Sequence, residues 1–449
     1  MEDKIQQWLD GPYDPETKEA IRNLSPEEKK EAFSSTLLFG TAGLRALMGP
    51  GPNRINIYTI SQASQAVALY LESHAPLDAP VVIGFDSRHN SAQFALRAAQ
   101  VFAGNGRKVF LFSSLCPTPL LSFACRYLHC CAAVMITASH NPKEYNGYKL
   151  YLEDGAQLIE PEDTKITKLM ENITSPSQVK IDSSSSLISP PPSSLIPAYI
   201  EAISSYATKK KENKFCLIYS SLHGTGIELM PQALAAYGFS SIFYVKEQIS
   251  IDGNFPTVPS PNPESKAALS LGIDLLKKMQ ADLFLVNDPD ADRLGAVVRD
   301  KETCSILTGN QIAALCASYI ANVYRNSNPH PPTTAVFIKS IVTTDLVKKI
   351  ALAHSIECID TAPGFKYIAA WIKHGEKEKN AKQFLFGAEE SYGFLAGDYC
   401  RDKDGIAIGC LLAQIAYEAW EKGETLVTLL SKLYEQYGFF YEETVSHAF

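Results

Sequence analysis

The stretch Val81-Val82-Ile83-Gly84-Phe85-Asp86-Ser87-Arg88-His89-Asn90-Ser91 sets the reading of the chain. Its first five residues are apolar and bounded by turn formers, the length and composition of a strand buried on both faces. An alanine-rich helical pattern follows over residues 91–103. Two further strand candidates come next, Lys108-Val109-Phe110-Leu111-Phe112 and Ala132-Ala133-Val134-Met135-Ile136. Strand, helix, strand at this spacing predicts crossover units on a largely parallel sheet. Upstream, a periodic helix is predicted over residues 61–72, and residues 1–38 read as a helical lead-in rich in Glu and Lys.

The pattern restarts twice. Residues 182–194 carry Ser183-Ser184-Ser185-Ser186 and Pro190-Pro191-Pro192, which cannot hold a core and read as a linker. Beyond it, residues 215–219, 241–245 and 281–286 read as strands and 228–236 as a helix. A polar, Asn- and Pro-rich stretch at 319–332 precedes a third set, with strands at 335–338 and 383–386 and helices at 344–354 and 365–373. The expectation is three consecutive α/β units. No close sequence repetition links them.

Bulk properties fit that count. At about 100–200 residues per domain, 449 residues suggest three domains. The composition, 46% hydrophobic and 20% charged, is that of a globular protein. No apolar run reaches the ~18 residues of a membrane span. The polar start Met1-Glu2-Asp3-Lys4 lacks the pattern of a signal peptide. Ten cysteines without metal-knuckle spacing read as buried free thiols in a reducing cytosol. A net charge of −8 argues against nucleic acid and anionic membrane as partners. It also means that any phosphate site must bring its own cations.

In open α/β sheets, ligands collect beyond the carboxyl ends of strands, and three motifs begin where a strand candidate ends. Thr137-Ala138-Ser139-His140-Asn141-Pro142 offers a serine hydroxyl, a weak nucleophile unless activated or already modified, with a proton-shuttling His140 beside it. The same residues also suit a plain surface turn. Asp288-Pro289-Asp290-Ala291-Asp292-Arg293 offers alternating carboxylates. In an extended loop these project to one side, and three hard oxygens suit Mg²⁺; a solvated acidic turn is the alternative. Glu389-Glu390-Ser391-Tyr392-Gly393 combines carboxylates and hydroxyls that match a sugar diol, or else caps a helix. Arg45, Arg88, Lys149, Arg293, Lys366 and Lys403 occupy loop positions where each is, taken singly, a surface charge.

Taken together with Phe39–Arg45 and Asp86–Ser91, these motifs resemble, in order and spacing, the α-D-phosphohexomutase superfamily. The nearest branch is the phosphoglucomutase/phosphopentomutase group, and the likeness covers nearly the whole chain. The resemblance implies three consecutive mixed-sheet α/β lobes of the phosphohexomutase type: a phosphoserine lobe at 1–190, a metal-binding lobe at 191–308 and a sugar-binding lobe at 309–425. It implies that Ser139 is a resting phosphoserine, and that Asp288, Asp290 and Asp292 bind Mg²⁺ together with an oxygen on Ser139. It implies that Arg45, His140 and Lys149 assist proton transfer or stabilise charge near the serine. Lys403, in Arg401-Asp402-Lys403-Asp404-Gly405, matches a lysine facing the substrate. Arg293, Glu389 and Ser391 match substrate contacts, and Gly364-Phe365-Lys366 matches a loop that touches the sugar.

The implied reaction moves a phosphoryl group between the 1-position and the 5- or 6-position of a sugar phosphate. It passes through a bisphosphate intermediate and uses a sugar 1,6-bisphosphate activator. The family's phosphate-gripping fourth lobe has no counterpart here, so residues 426–449 are expected to form a stub leading to it. The alternatives are a metal-dependent sugar phosphatase using the same aspartates, and a catalytically weak phosphosugar-binding protein or truncated mutase. Neither the sugar nor the oligomeric state follows from the sequence; a cytoplasmic location does.

Overall fold

The computed structural model describes residues 1–40, 43–208, 214–301, 303–327, 335–376 and 382–443. Thr41 and Ala42 of the Phe39–Arg45 motif, part of the 319–332 stretch and residues 444–449 lie outside the described residues. The chain divides into two compact units: Met1–Pro197 with Asp252–Pro256, and Ala198–Ile251 with Thr257–Phe449.

Unit one runs α1 Glu2–Asp10, α2 Pro15–Asn23, α3 Pro26–Phe33, β1 Leu44–Leu47, α4 Ile57–Glu72, β2 Val81–Phe85, α5 Ser91–Gly104, β3 Val109–Leu111, α6 Thr118–Tyr127, β4 Ala132–Ile136, β5 Tyr145–Leu152, α7 Glu162–Glu171 and β6 Ile188–Ser189. Its six-stranded sheet has the order β1-β5-β4-β2-β3-β6. β4, β2, β3 and β6 are parallel, whereas β5 is antiparallel to β4 and to β1. The parallel strands are the apolar runs of the sequence, because both of their faces are covered. The lead-in folds as three capped helices. Asp14 caps α2 and Ser25 closes a capping box on α3. They enclose a small separate core of Trp8, Ile21, Ala32 and Phe33, with Tyr13 stacked on Trp8 at 4.2 Å.

Two features of unit one depart from expectation. β5 carries Asn146 and Lys149 among its apolar residues, which hid it. The 182–194 segment is not only a linker, since its Ile188–Ser189 pairs with β3 and forms the edge strand of the sheet. Edge pairing satisfies backbone groups without requiring a core.

After α8 Leu195–Ile203, unit two holds β7 Leu217–Ser220, α9 Gly226–Ala236, β8 Ile242–Tyr244, α10 Lys266–Met279, β9 Leu283–Asn287, β10 Leu294–Asp300 and β11 Thr303–Leu307. These strands form a sheet of order β11-β10-β9-β7-β8, parallel over β9, β7 and β8. Then come α11 Gly309–Ser327, β12 Ala335–Ser340, α12 Asp345–Ala353, β13 Glu357–Thr361, α13 Phe365–Gly375, β14 Gln383–Glu389, β15 Gly393–Ala396, α14 Gly405–Trp420 and α15 Leu426–Tyr437. The third sheet is β13-β12-β14-β15, with only β15 antiparallel. Three α/β layers with mixed sheets are therefore present.

Residues 319–327, expected in a break between lobes, instead complete α11. Ile312, Leu315, Cys316, Ile320 and Tyr324 keep the helical period on its buried side, and the asparagines fall elsewhere. Residues 426–437, expected in a stub, form α15, which packs on α11 and α14 and buries Leu426, Leu430 and Leu433. All ten cysteines are free thiols, but Cys216, Cys304 and Cys358 are only partly buried, against the expectation that all are buried. Among the described residues no helix is long and apolar enough to cross a membrane.

Candidate active site

In unit one the site begins where β4 ends. Ser139 sits in the left-handed region with φ 51°, which costs a non-glycine residue roughly 1–2 kcal/mol unless the surroundings impose it. Here they do. The Ser139 N–H donates to Thr137 Oγ1 at 2.7 Å, and that hydroxyl donates to Asp86 Oδ2 at 2.6 Å. Asp86, just past β2, also accepts from Ser91 Oγ at 2.7 Å and from the Arg88 N–H at 3.0 Å.

The Arg88 side chain closes the turn. Nη2 donates to the carbonyls of Ser139 and Asn141, both at 2.5 Å. Nη1 donates to those of Pro142 at 2.7 Å and Tyr145 at 3.1 Å. Nε lies 3.3 Å from Asp86 Oδ2, and both side chains are wholly buried. Burial pushes the Asp86 carboxyl above its ordinary range, against the pull of Arg88 and the two hydroxyls. A buried pair of this kind typically costs about 3–5 kcal/mol to break.

The other expected residues of this unit are placed as follows. Ser139 Oγ lies 3.1 Å from His140 Nδ1, and Arg45 donates to Asn141 Oδ1 at 2.8 Å. Lys149 is buried on β5, opposite Met135 of β4. Asp86 and Thr137 were not singled out as site residues in the sequence. Their signal is a carboxylate and a hydroxyl at the carboxyl ends of adjacent parallel strands.

In unit two the aspartates follow β9. The loop is not extended, as expected, but turned: Ala291 has φ 55° and Asn287 Nδ2 clamps the Arg293 carbonyl at 2.7 Å. The turn, not strand alternation, makes the carboxylates converge. Asp288, Asp290 and Asp292 are buried, with candidate ligand oxygens all within 4.8 Å of one another.

A second loop, Leu222-His223-Gly224-Thr225, supports the aspartates and was not read in the sequence. A Cβ on Gly224 would stand 2.3 Å from Pro289 Cα, and the Thr225 N–H donates to the Pro289 carbonyl at 2.8 Å. His223 is tied through both ring nitrogens, to the Ser250 carbonyl at 2.9 Å and Thr257 Oγ1 at 2.8 Å.

Burial first, and then Asp290 and Asp292, push the Asp288 carboxyl well above its usual range. Three buried carboxylates this close stay ionised together only with positive charge among them. Arg293 and Lys403 supply part of it. Lys403 Nζ lies 3.2 Å from Asp292 Oδ2 and 3.0 Å from Asp402 Oδ1. Three hard oxygens on one side of a turn fit Mg²⁺, which binds a few carboxylates and keeps other positions open.

The same network reaches the third sheet. Glu389, the last residue of β14, accepts from the Gly364 N–H at 2.8 Å. Gly364 has φ 117° and precedes α13, whose first residue, Phe365, turns its ring to 5.8 Å from Lys403 Nζ. Arg293 Nη1 donates to the Ser391 carbonyl at 3.0 Å and to Glu264 Oε1 at 2.7 Å. Lys366 is mostly buried, its Nζ 5.4 Å from the Tyr367 ring. Burial raises the Glu389 carboxyl, and Lys403 and the Gly364 N–H hold it back.

Asp404 anchors the Lys403 loop. It caps α14 through the N–H groups of Ile406 and Ala407 and accepts from the Tyr199 and Tyr399 hydroxyls at 2.7 and 2.8 Å. An Asp before an apolar helical run carries this signal in the sequence.

A serine held in a fixed turn and a buried carboxylate cluster with its own lysine are equipment for phosphoryl transfer, which asks for positioning and charge rather than covalent skill. Comparison with known proteins gives the family. The models of phosphoglucomutase/phosphomannomutase α/β/α domains I, II and III match residues 36–177, 197–301 and 308–437. A phosphoglucomutase of Staphylococcus epidermidis is 37% identical over 447 residues, covering 98% of this chain and 80% of its own length. One from Staphylococcus aureus is 36% identical over 445 residues, with 98% and 79% covered. A phosphomannomutase structure from Thermus thermophilus superposes with TM-score 0.73 at 23% identity, over 90% of this chain and 84% of that one. This last likeness is one of fold. The chain belongs to the phosphoglucomutase/phosphomannomutase family of the α-D-phosphohexomutases, and is an intramolecular phosphotransferase of the phosphosugar mutase type.

Proposed function

We propose that this mutase carries its phosphoryl group on Ser139 and interconverts a sugar 1-phosphate with the corresponding 5- or 6-phosphate, glucose phosphate first among the candidates. The observation that carries this reading is the Ser139 turn, held in a left-handed conformation by Arg88 and Thr137 and bonded to a histidine. A sugar hydroxyl attacks phosphorus on Ser139, the Oγ–P bond breaks, the hydroxyl's proton is passed on to Ser139 Oγ, and the sugar becomes a bisphosphate. The bisphosphate reorients, Ser139 Oγ attacks its other phosphate, the bond between that phosphorus and the sugar oxygen breaks, and the serine's proton ends on the released sugar oxygen. His140 Nδ1, at 3.1 Å, is placed to hold the Ser139 proton in this second step.

Asp288, Asp290 and Asp292 would hold Mg²⁺, which when bound neutralises charge on phosphoryl oxygens. Glu389, Ser391 and the Gly364-Phe365-Lys366 loop present acceptors and donors to the sugar. Arg293 orients the Ser391 segment, and Lys403 supplies positive charge beside the carboxylates. Arg45 and Lys149 offset charge at the serine. A clamp on a diol tolerates both orientations of the bisphosphate, which a shape-tight pocket would not. A sugar 1,6-bisphosphate would prime the serine. Ten free thiols, seven of them buried, suit a reducing, cytoplasmic location.

A coupled assay over glucose, mannose and ribose 1-phosphates, with Mg²⁺ and glucose 1,6-bisphosphate, tests the reading. Turnover of glucose 1-phosphate that is abolished in Ser139→Ala supports it. Release of inorganic phosphate without isomerisation would identify a phosphatase instead.

A further inference from the structure

Asp252–Pro256 belongs to unit one, although the chain before and after it belongs to unit two. The excursion is tightly fixed. The Asn254 N–H donates to Asp252 Oδ1 at 2.8 Å and the Phe255 N–H to the Asp252 carbonyl at 3.1 Å, closing a turn. Asn254 Oδ1 meets His89 Nε2 at 3.0 Å. Gly253 passes so close to the Arg88 segment that an added Cβ would lie 2.8 Å from the His89 nitrogen and 2.9 Å from the Ser87 carbonyl. Phe255 takes φ 48°, a conformation that a bulky residue adopts only where its surroundings impose it. Its ring is 2% exposed and lies 5.0 Å from the Arg88 guanidinium carbon.

We propose that Phe255 is a positioning residue for the Ser139 turn, acting through Arg88; the proposal rests on Ser139 being the phosphoryl carrier. A guanidinium is planar, and its donors point in fixed directions. The carbonyls of Ser139, Asn141, Pro142 and Tyr145 are all held by that one group. Its plane therefore sets the shape of the turn. Asp86 fixes the Nε edge, and the aromatic ring covers a face, excluding water and attracting the cation. Gly253 lets the segment come near enough to deliver the ring.

The full chain is compared as wild type, Phe255→Leu, Phe255→Tyr and Gly253→Ala, at saturating Mg²⁺, glucose 1-phosphate and glucose 1,6-bisphosphate. Phe255→Leu and Gly253→Ala are expected to lower kcat by roughly 10- to 100-fold, the cost of a displaced reacting group, with KM and the Mg²⁺ dependence unchanged. Phe255→Tyr, which keeps the aromatic face, restores kcat. Hydrogen exchange speeds up at the amides of Ser139, Asn141 and Tyr145 in the two impaired variants, while β2 keeps its protection. Wild-type kcat and exchange in Phe255→Leu would overturn the proposal. So would an equal loss in Leu and Tyr accompanied by a lowered Tm, which marks packing alone. Ser139→Ala runs in parallel: retained turnover there refutes the Ser139 reading, while the exchange data judge Phe255 separately.

Discussion

Lys403 Nζ stands 3.2 Å from Asp292 Oδ2, so the aspartate cluster carries a cation of its own beside the candidate metal site. Burial works against that ammonium, but Asp292, Asp402 and Glu389 outweigh it and raise the lysine's pKa. On the proposed reading, the lysine and a divalent ion would compete for the same carboxylate, and both would supply charge to the phosphoryl group.

Lys403→Ala is therefore expected to bind Mg²⁺ more tightly and to turn over more slowly. A charge-assisted hydrogen bond contributes about 1.5–3 kcal/mol, so kcat should fall by roughly 10- to 100-fold. Mg²⁺ titration of activity and calorimetry measure the two effects separately. Weaker Mg²⁺ binding would mean that the lysine organises the cluster instead of competing within it.

Glu389 gives a pH dependence whose sign is set by burial. Its carboxyl is raised above the ordinary 4.5, so the folded state holds the proton more tightly than the unfolded chain does. Its contribution to stability is fully present below 4.5 and is lost as pH rises through the raised folded value. Glu389→Gln removes this slope. Denaturation at several pH values should show the variant gaining on the wild type as pH rises through that window. A pH-independent difference would contradict the burial argument.

Ser139 separates chemistry from backbone strain. Both Ser139→Ala and Ser139→Gly remove the hydroxyl and should abolish turnover. At φ 51°, however, glycine is at ease and alanine is not, so the glycine variant should be the more stable of the two by roughly 1 kcal/mol. Chemical denaturation of the two variants checks this, and equal stabilities would mean that the turn relaxes once the hydroxyl is gone.

The parallel strands were legible because they are buried on both faces: Val81–Phe85 and Ala132–Ile136 lie where their apolar runs place them. β5 was not, because Asn146 and Lys149 interrupt its apolar pattern. The aspartate motif was readable as a set of oxygens, but its geometry was not, since the left-handed turn at Ala291 gives no composition cue. The supports of the serine turn and of the Lys403 loop were hidden for another reason. Arg88 reaches carbonyls more than fifty positions away, and Asp404 meets Tyr199 across the chain. Such pairings exist only after the sheets have formed. The Asp252–Pro256 excursion belongs to the same class.

Most directly, the account can be tested by incubating purified protein with glucose 1,6-bisphosphate and Mg²⁺ and mapping the modified peptide by mass spectrometry. The account predicts one added phosphoryl group, on Ser139, which is lost again when excess glucose 1-phosphate is supplied. Phosphate on another residue, or an unmodified Ser139 in protein that still isomerises sugar phosphates, would contradict it.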